Sequence, residues 1–189
     1  MRVSGLGMML ILAAGMAQAE PISGKAAKAQ LFSPKGAEVE MLAQDFLSET
    51  DVAALKMVGE GQPYYGAIAV SPDEGLMVEA TVAAANYHDT DAASTAALAG
   101  CEAKRKGARG CEIVALIRPK GWEPRSFTLS AEATAAFKDG YKKAGTLVLS
   151  APTGKWGLCT EAGKPCEGTA FKHCAEKGGG QACAIAVQD

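Results

Sequence analysis

The chain has 189 residues, 19 basic and 21 acidic side chains, a net charge of −2 and six cysteines. This balance excludes the strong positive field of a nucleic-acid or anionic-membrane binder. The most basic cluster, Lys104-Arg105-Lys106 with Arg109, falls at an expected helix end, where cations offset the helix dipole.

The first residues read as a processing segment. Arg2 supplies a positive charge, Leu6 to Met16 is an apolar run broken only by Gly7 and Gly15, and Ala17-Gln18-Ala19 is a small-x-small cleavage site. Residues 1–19 are therefore expected to be a signal peptide, with the mature chain starting at Glu20. The run is too short for a spanning helix, which needs roughly 20 apolar residues, and no later run is long enough, so no transmembrane helix is expected after cleavage. Removing 19 residues from 189 leaves 170. That length suits one compact domain or two small units, 20–118 with an N-terminal extension and 119–189. An even number of cysteines in an exported chain reads as disulfides, which places the protein in the periplasm or outside the cell.

Gly24 to Leu31 can form a short helix, and Pro34-Lys35-Gly36 is a turn. Ala37 to Leu42 alternates apolar and acidic residues, as a half-buried strand does. Ser48 is a good N-cap, Asp51 follows three residues on, and Val52, Leu55 and Val58 form one apolar stripe of a helix. Tyr64 to Val70 is a strand, Ser71 to Gly75 a turn, and Leu76 to Ala85 the returning strand. After a polar loop, Asp91 is the expected cap of a helix reaching about Lys106, with Ala92, Ala96, Leu98, Ala99 and Cys101 as its shallow buried face. Cys111 to Ile117 is a strand. Pro119 to Arg125, containing Trp122, is a connector, and Phe127 to Leu129 a short strand. Ser130 caps a helix through about Lys143 with Phe137 and Tyr141 one turn apart. Gly145 to Leu149 and Trp156 to Cys159 are strands around a turn at Pro152-Thr153-Gly154. Thr169 to Lys177 is a helix, and Cys183 to Val187 the last strand.

These landmarks repeat. Leu47-Ser48 matches Leu129-Ser130 at an offset of 82, and Gly66-Ala-Ile-Ala-Val-Ser matches Gly145-Thr-Leu-Val-Leu-Ser at 79. Cys101 matches Cys174 at 73 and Cys111 matches Cys183 at 72. The drift is small and ordered, which points to a duplicated β-hairpin–helix–strand unit. Equivalent cysteines should make equivalent bonds, so Cys101–Cys111 and Cys174–Cys183 are expected, and Cys159–Cys166 by elimination. Closing such short loops contributes about 3 kcal/mol each by the chain-entropy estimate. The fold class is α+β, with antiparallel sheets and helices on one side of them.

At the Gly-Ala-Ile-Ala strand and the Cys101/Cys111 landmarks, the chain resembles a family of small secreted bacterial domains of unknown function. Their pattern is that strand, a small-residue helix ending in Cys, and a second Cys opening a strand. The match covers Gly66 to Ile117 well and Gly145 to Val187 loosely, and it implies no catalytic residues. The whole chain also looks like a group of exported alphaproteobacterial proteins, some labelled 5-aminolevulinate synthase. That label would make this a tetrapyrrole-linked protein. The residues argue against the activity: such a synthase is a large cytosolic enzyme that holds pyridoxal phosphate on a lysine, and no phosphate-cradling glycine loop stands beside a lysine here.

For chemistry, Tyr87-His88-Asp89, with Asn86 adjacent, is the most suggestive cluster, since an imidazole beside a carboxylate can act as a general base. The matching loop of the second copy is shorter and has no histidine. His88 and Asp89 are thus the candidate catalytic pair of a small envelope hydrolase, against a bland reading as a polar turn before a helix. The same loop with Tyr65 and Trp156 is the candidate ligand surface: Tyr65, Asn86, Tyr87, His88 and Trp156. Tyr64 and Trp122 read as core or rim packing, and His173 as a helix surface residue. No Gly-x-Ser-x-Gly motif occurs, disulfide cysteines cannot be nucleophiles, and neither a metal nor a cofactor is implied. The leading expectation is a non-catalytic exported module that binds an envelope protein or a small ligand. Under it, His88→Ala should leave stability near wild type, whereas an enzyme would lose its activity.

Overall fold

The structure, a computed structural model, describes residues 20–161 and 164–189; the expected signal peptide lies outside them. It is an α+β fold with two antiparallel sheets. Among the described residues no helix is long and apolar enough to cross a membrane.

The first sheet has strands β1 (Ala37–Met41), β2 (Gly66–Val70), β3 (Val82–Ala84) and β4 (Glu112–Pro119) in the order β1-β4-β2-β3. The second has β5 (Thr146–Ser150), β6 (Lys155–Cys159) and β7 (Cys183–Gln188) in the order β6-β5-β7. The β4-β2-β3 part of one therefore has the same wiring as β7-β5-β6 of the other. Ile68 pairs with Ala115 and Ala69 with Ile113, which leaves Val114 as an extra residue in β4. Leu147 pairs with Val187 and Val148 with Ile185, which leaves Ala186 as the extra residue in β7. The two bulges stand at matching positions.

The helices are α1 (Gly24–Gln30), α2 (Glu49–Glu60), α3 (Thr90–Glu102), α4 (Ala131–Gly140) and α5 (Lys164–Cys174). Side chains alternate along β2, so each face has its own cover. Ile68 and Val70 meet Leu55 of α2, whereas Ala67 and Ala69 meet Ala93, Ala97 and Cys101 of α3. In the second sheet Leu147 packs with Ala133 and Phe137 of α4, and Val148 with Ala170 and Cys174 of α5. Helices thus cover both faces of each sheet, not one side as the sequence suggested. The alanine and cysteine faces of α3 and α5 allow their close approach.

All three cysteine pairs are those expected: Cys101–Cys111, Cys159–Cys166 and Cys174–Cys183, and no described cysteine is unpaired. Ser48 caps α2 in a capping box with Asp51, and Ser130 caps α4. Other expectations shift. Asp89, not Asp91, caps α3, accepting from the Ala92 N–H at 2.7 Å. The α3 inward face runs Ala93, Ala97, Cys101, because the disulfide at Cys101 fixes the phase of the i, i+4 row. Val58 is 52% exposed, and Gly59 takes the inward position instead, since a Cβ there would lie 2.7 Å from Val39. The returning strand shrinks to Val82–Ala84, and residues 127–129 form no strand. Helix α4 stops at Gly140, capped by Tyr141. Helix α5 starts at Lys164 and ends at Cys174, followed by a π-type turn, Ala175–Gly179.

The N-terminal segment, read as an extension of unit 20–118, packs instead on the second sheet. Ala27 is fully buried among Phe137, Tyr141, Leu147 and Val187. Ile22 makes a parallel bridge to Val187, and the Gly24 N–H donates to the Asp189 carboxylate at 2.9 Å.

Candidate functional site

The segment from Asn86 to Asp89 lies where the two sheets' elements meet. Asn86 adopts φ +65°, a left-handed conformation that asparagine tolerates better than most residues. Its N–H donates to the Pro63 carbonyl at 3.3 Å, and that of Tyr87 to the Tyr65 carbonyl at 3.0 Å, tying the loop to the start of β2. The Asn86 Oδ1 accepts from the Glu132 N–H at 3.2 Å, in the first turn of α4.

His88 continues this crossing. It is only 4% exposed. Its Nδ1 accepts from the Ser130 N–H at 3.2 Å, which assigns the ring proton to Nε2, and Nε2 donates to the Lys155 carbonyl at 3.1 Å. One imidazole therefore joins the α3 entry loop to the α4 cap and to β6. Burial depresses its proton affinity, opposed by the Lys155 carbonyl and the Asp89 charge, so the ring is held neutral. The Asp89 carboxylate is occupied as the α3 cap. Neither ring nitrogen is left to take a proton from a substrate, and the two side chains serve different partners.

The other candidates gather around the same seam. Gly154, at φ +66°, lies so close to the loop that a Cβ would sit 2.8 Å from the Asn86 carbonyl oxygen. Trp156, two residues on, is half-buried against the second core with the Lys177 ammonium 3.5 Å over its ring. Burial lowers the Lys177 proton affinity first, opposed by the Glu132 charge. Tyr65 is 2% exposed and packs edge-on against Tyr64. Burial, then the neighbouring Tyr64, pushes its hydroxyl up to about 12. Tyr87 is half-buried beside the α3 core. The structure thus ties Asn86, Tyr87 and His88 to the start of β2, the α4 cap and β6 as an internal joint and not as a cleft, while Trp156 packs on the second core. Because His88 is a buried double hydrogen-bonding bridge, its removal is expected to cost stability and not to leave it near wild type. Among the described residues no group of three His, Cys, Asp or Glu side chains could hold a metal. His173 is exposed on α5.

An open surface lies elsewhere. A groove of about 800 Å³ runs along β7, lined by residues 182–186, by Ile22 and Phe127 on one side and by Phe171 of α5 on the other. Phe171 is 37% exposed, one of the few large apolar side chains so exposed among the described residues. The sequence reading passed over this region. Its signal was a difference between the two halves of the sequence: a strand, Ala37 to Leu42, precedes the first capped helix, and only the three residues 127–129 precede the second. No protein-family model, curated protein or solved structure matches this chain, so its functional reading rests on this geometry.

Proposed function

We propose that the chain is an exported, disulfide-stapled, non-catalytic binding module whose two sheets descend from one duplicated unit. The observation that carries the binding reading is the groove along β7, an apolar trough bordered by the exposed Phe171. Export is supported by three disulfides in so small a chain, since such bonds persist in oxidising compartments. Hydrolysis through His88 and Asp89 has no observation in its favour, because both groups are spent on holding the fold.

The test is native mass spectrometry of unreduced protein recovered from the envelope of a cell that exports it. The expected species starts at Glu20, lacks the six hydrogens of three disulfides, and carries a non-covalent partner or ligand that denaturation releases. A chain that keeps residues 1–19, or free thiols, would overturn the exported module. Loss of the bound species on Phe171→Asp assigns binding to the groove. Its retention moves the site elsewhere.

A further inference from the structure

The two sheets differ most at one edge. In the first, the outer side of β4 is paired with β1 over Ala37 to Met41. The Leu42 N–H extends that cover to the Val114 carbonyl at 2.9 Å, and the Gln44 side-chain amide donates to the Ile113 carbonyl at 3.3 Å. In the second sheet β7 holds the place of β4, and among the described residues no fourth strand pairs with its outer side. Among the described residues Ile22 pairs there: its N–H donates to the Ala186 carbonyl at 3.1 Å and its carbonyl accepts from the Gln188 N–H at 3.1 Å. Ala186 and Val114 are the matching bulge residues, so Ile22 stands where Leu42 stands in the other sheet. Residues 183–185, the counterparts of Cys111 to Ile113 that β1 also leaves without a strand partner, line the groove, with Glu20 and Pro21 beside Ile22 at its end.

The shape of the groove fits a strand. Five consecutive residues, 182–186, line it. Side chains of a strand alternate between faces, so a trough touching every residue follows the backbone edge and not one face. Its walls come from opposite faces of the sheet. Phe171 belongs to α5, which covers the Val148 face, while Phe127 and Leu149 pack on the Leu147 face. An uncovered edge is a ready template for main-chain pairing, and Ile22 shows that this one accepts it.

We propose that the groove is a docking slot for an extended segment of a partner polypeptide, which adds to β7 along residues 183–185 with its side chains against Phe171 on one face and Phe127 on the other. The proposal rests on the binding-module reading and gives its site an occupant. Main-chain hydrogen bonds would supply the pairing, and the two apolar walls the preference for small or β-branched side chains at alternate positions.

The test uses the disulfide-intact chain from Glu20 and a capped peptide of alternating threonine and valine, followed by amide NMR. The expected result is saturable binding that shifts and protects the Cys183 to Ile185 amides. N-methylation of alternate peptide amides should weaken binding at least tenfold, and so should Phe171→Asp. The methylated peptide needs no change to the protein, so a misfolded variant cannot mask the answer. Equal binding of both peptides, or none at millimolar concentration, overturns strand docking. An apolar anilinonaphthalene dye separates the two levels. If the dye binds and Phe171→Asp abolishes it while the peptide does not bind, strand addition fails and the binding module stands. If neither probe binds, both fall. A concentration-dependent dimer in sedimentation, lost in Phe171→Asp, would give the slot to a second copy of this chain and overturn the partner.

Discussion

The two sheets share wiring, bulge position and helix-to-strand disulfides, yet they are completed in different ways. The first is finished locally: β1 lies on its outer edge and α2 on its face, both supplied just upstream in the chain. The second borrows from far away, since α1 and Ile22 come from the opposite end of the sequence, and a single residue, Ile22, pairs with the outer side of β7 where a whole strand pairs with β4. The same topology can therefore be closed or left partly open, depending on what reaches its outermost strand. The helices that carry the cysteines differ as well. Helix α3 meets β2 through small side chains, whereas α5 meets β6 through bare backbone at Gly157.

That last contrast gives the largest expected effect. A Cβ at Gly157 would lie 1.9 Å from the Ala170 carbonyl oxygen and 2.7 Å from the Cys174 nitrogen, both backbone atoms of α5 that cannot yield alone. Gly157→Ala should cost about 3 kcal/mol or more. The counterpart contact in the first half, Gly100 of α3 against Val82 of β3, has its nearest approach of 3.0 Å to a side-chain methyl. There Gly100→Ala gains up to about 1 kcal/mol of helix propensity against a small steric cost. It should stay within about 1 kcal/mol of wild type. Urea unfolding of the two variants measures both values. Equal losses would mean that the two helices approach their sheets alike.

A second break falls on the joint between the sheets. His88→Ala leaves the Ser130 N–H and the Lys155 carbonyl without their partner and opens a cavity, so it should cost about 2–4 kcal/mol. The pH dependence sharpens the point. Burial depresses the folded-state affinity of His88 below its ordinary 6.5. The neutral ring therefore stabilises the fold fully above pH 6.5, and that stability is lost as pH falls from 6.5 toward the depressed value. Wild-type stability should decline over this range, and His88→Gln should flatten the decline. A slope unchanged in the variant would place the titrating group elsewhere.

Much of the fold was legible because it rests on local signals. Serine caps, glycine turns and paired cysteines are short-range features, and they located α2, α4, the hairpins and all three disulfides. The candidate site was misread for a related reason. Asn86, Tyr87, His88 and Asp89 look like chemistry in a sequence because their partners are remote: Ser130 and Lys155 lie 42 and 67 residues from His88. No local pattern announces that a polar loop will be buried under a second sheet. The groove was invisible for the same reason in reverse, since it depends on Ile22 reaching Val187 across nearly the whole chain.

The smallest expected effect compares the loops that lead from α3 to β4 and from α5 to β7. The first is stapled by carboxylates. Glu74 accepts from the Lys106 and Gly107 N–H groups at 2.9 and 3.0 Å, Asp73 from Arg109 at 2.8 Å, and Glu102 from Cys111 at 2.7 Å. In the second, the Ser150 hydroxyl donates to the Gly179 carbonyl at 3.3 Å, a contact without a charge. The Ser71 hydroxyl and then the two loop amides hold the Glu74 carboxyl below its ordinary value of 4.5, and Arg105 and then the Cys111 amide do the same for Glu102. With depressed folded values, the staples are fully formed above pH 4.5 and are lost as the pH falls through those values. Hydrogen exchange, corrected for its intrinsic pH dependence, should therefore rise at Lys106, Gly107 and Cys111 below pH 4.5, while the amides of residues 176–180 change little. Glu102 is exposed and Glu74 lies at the surface, half-buried, so global stability should move only slightly and the response should stay local. Glu74→Gln should bring the first loop's faster exchange to neutral pH. If the two loops loosened together in acid, the disulfide that each carries would be setting its mobility and the carboxylates would be incidental.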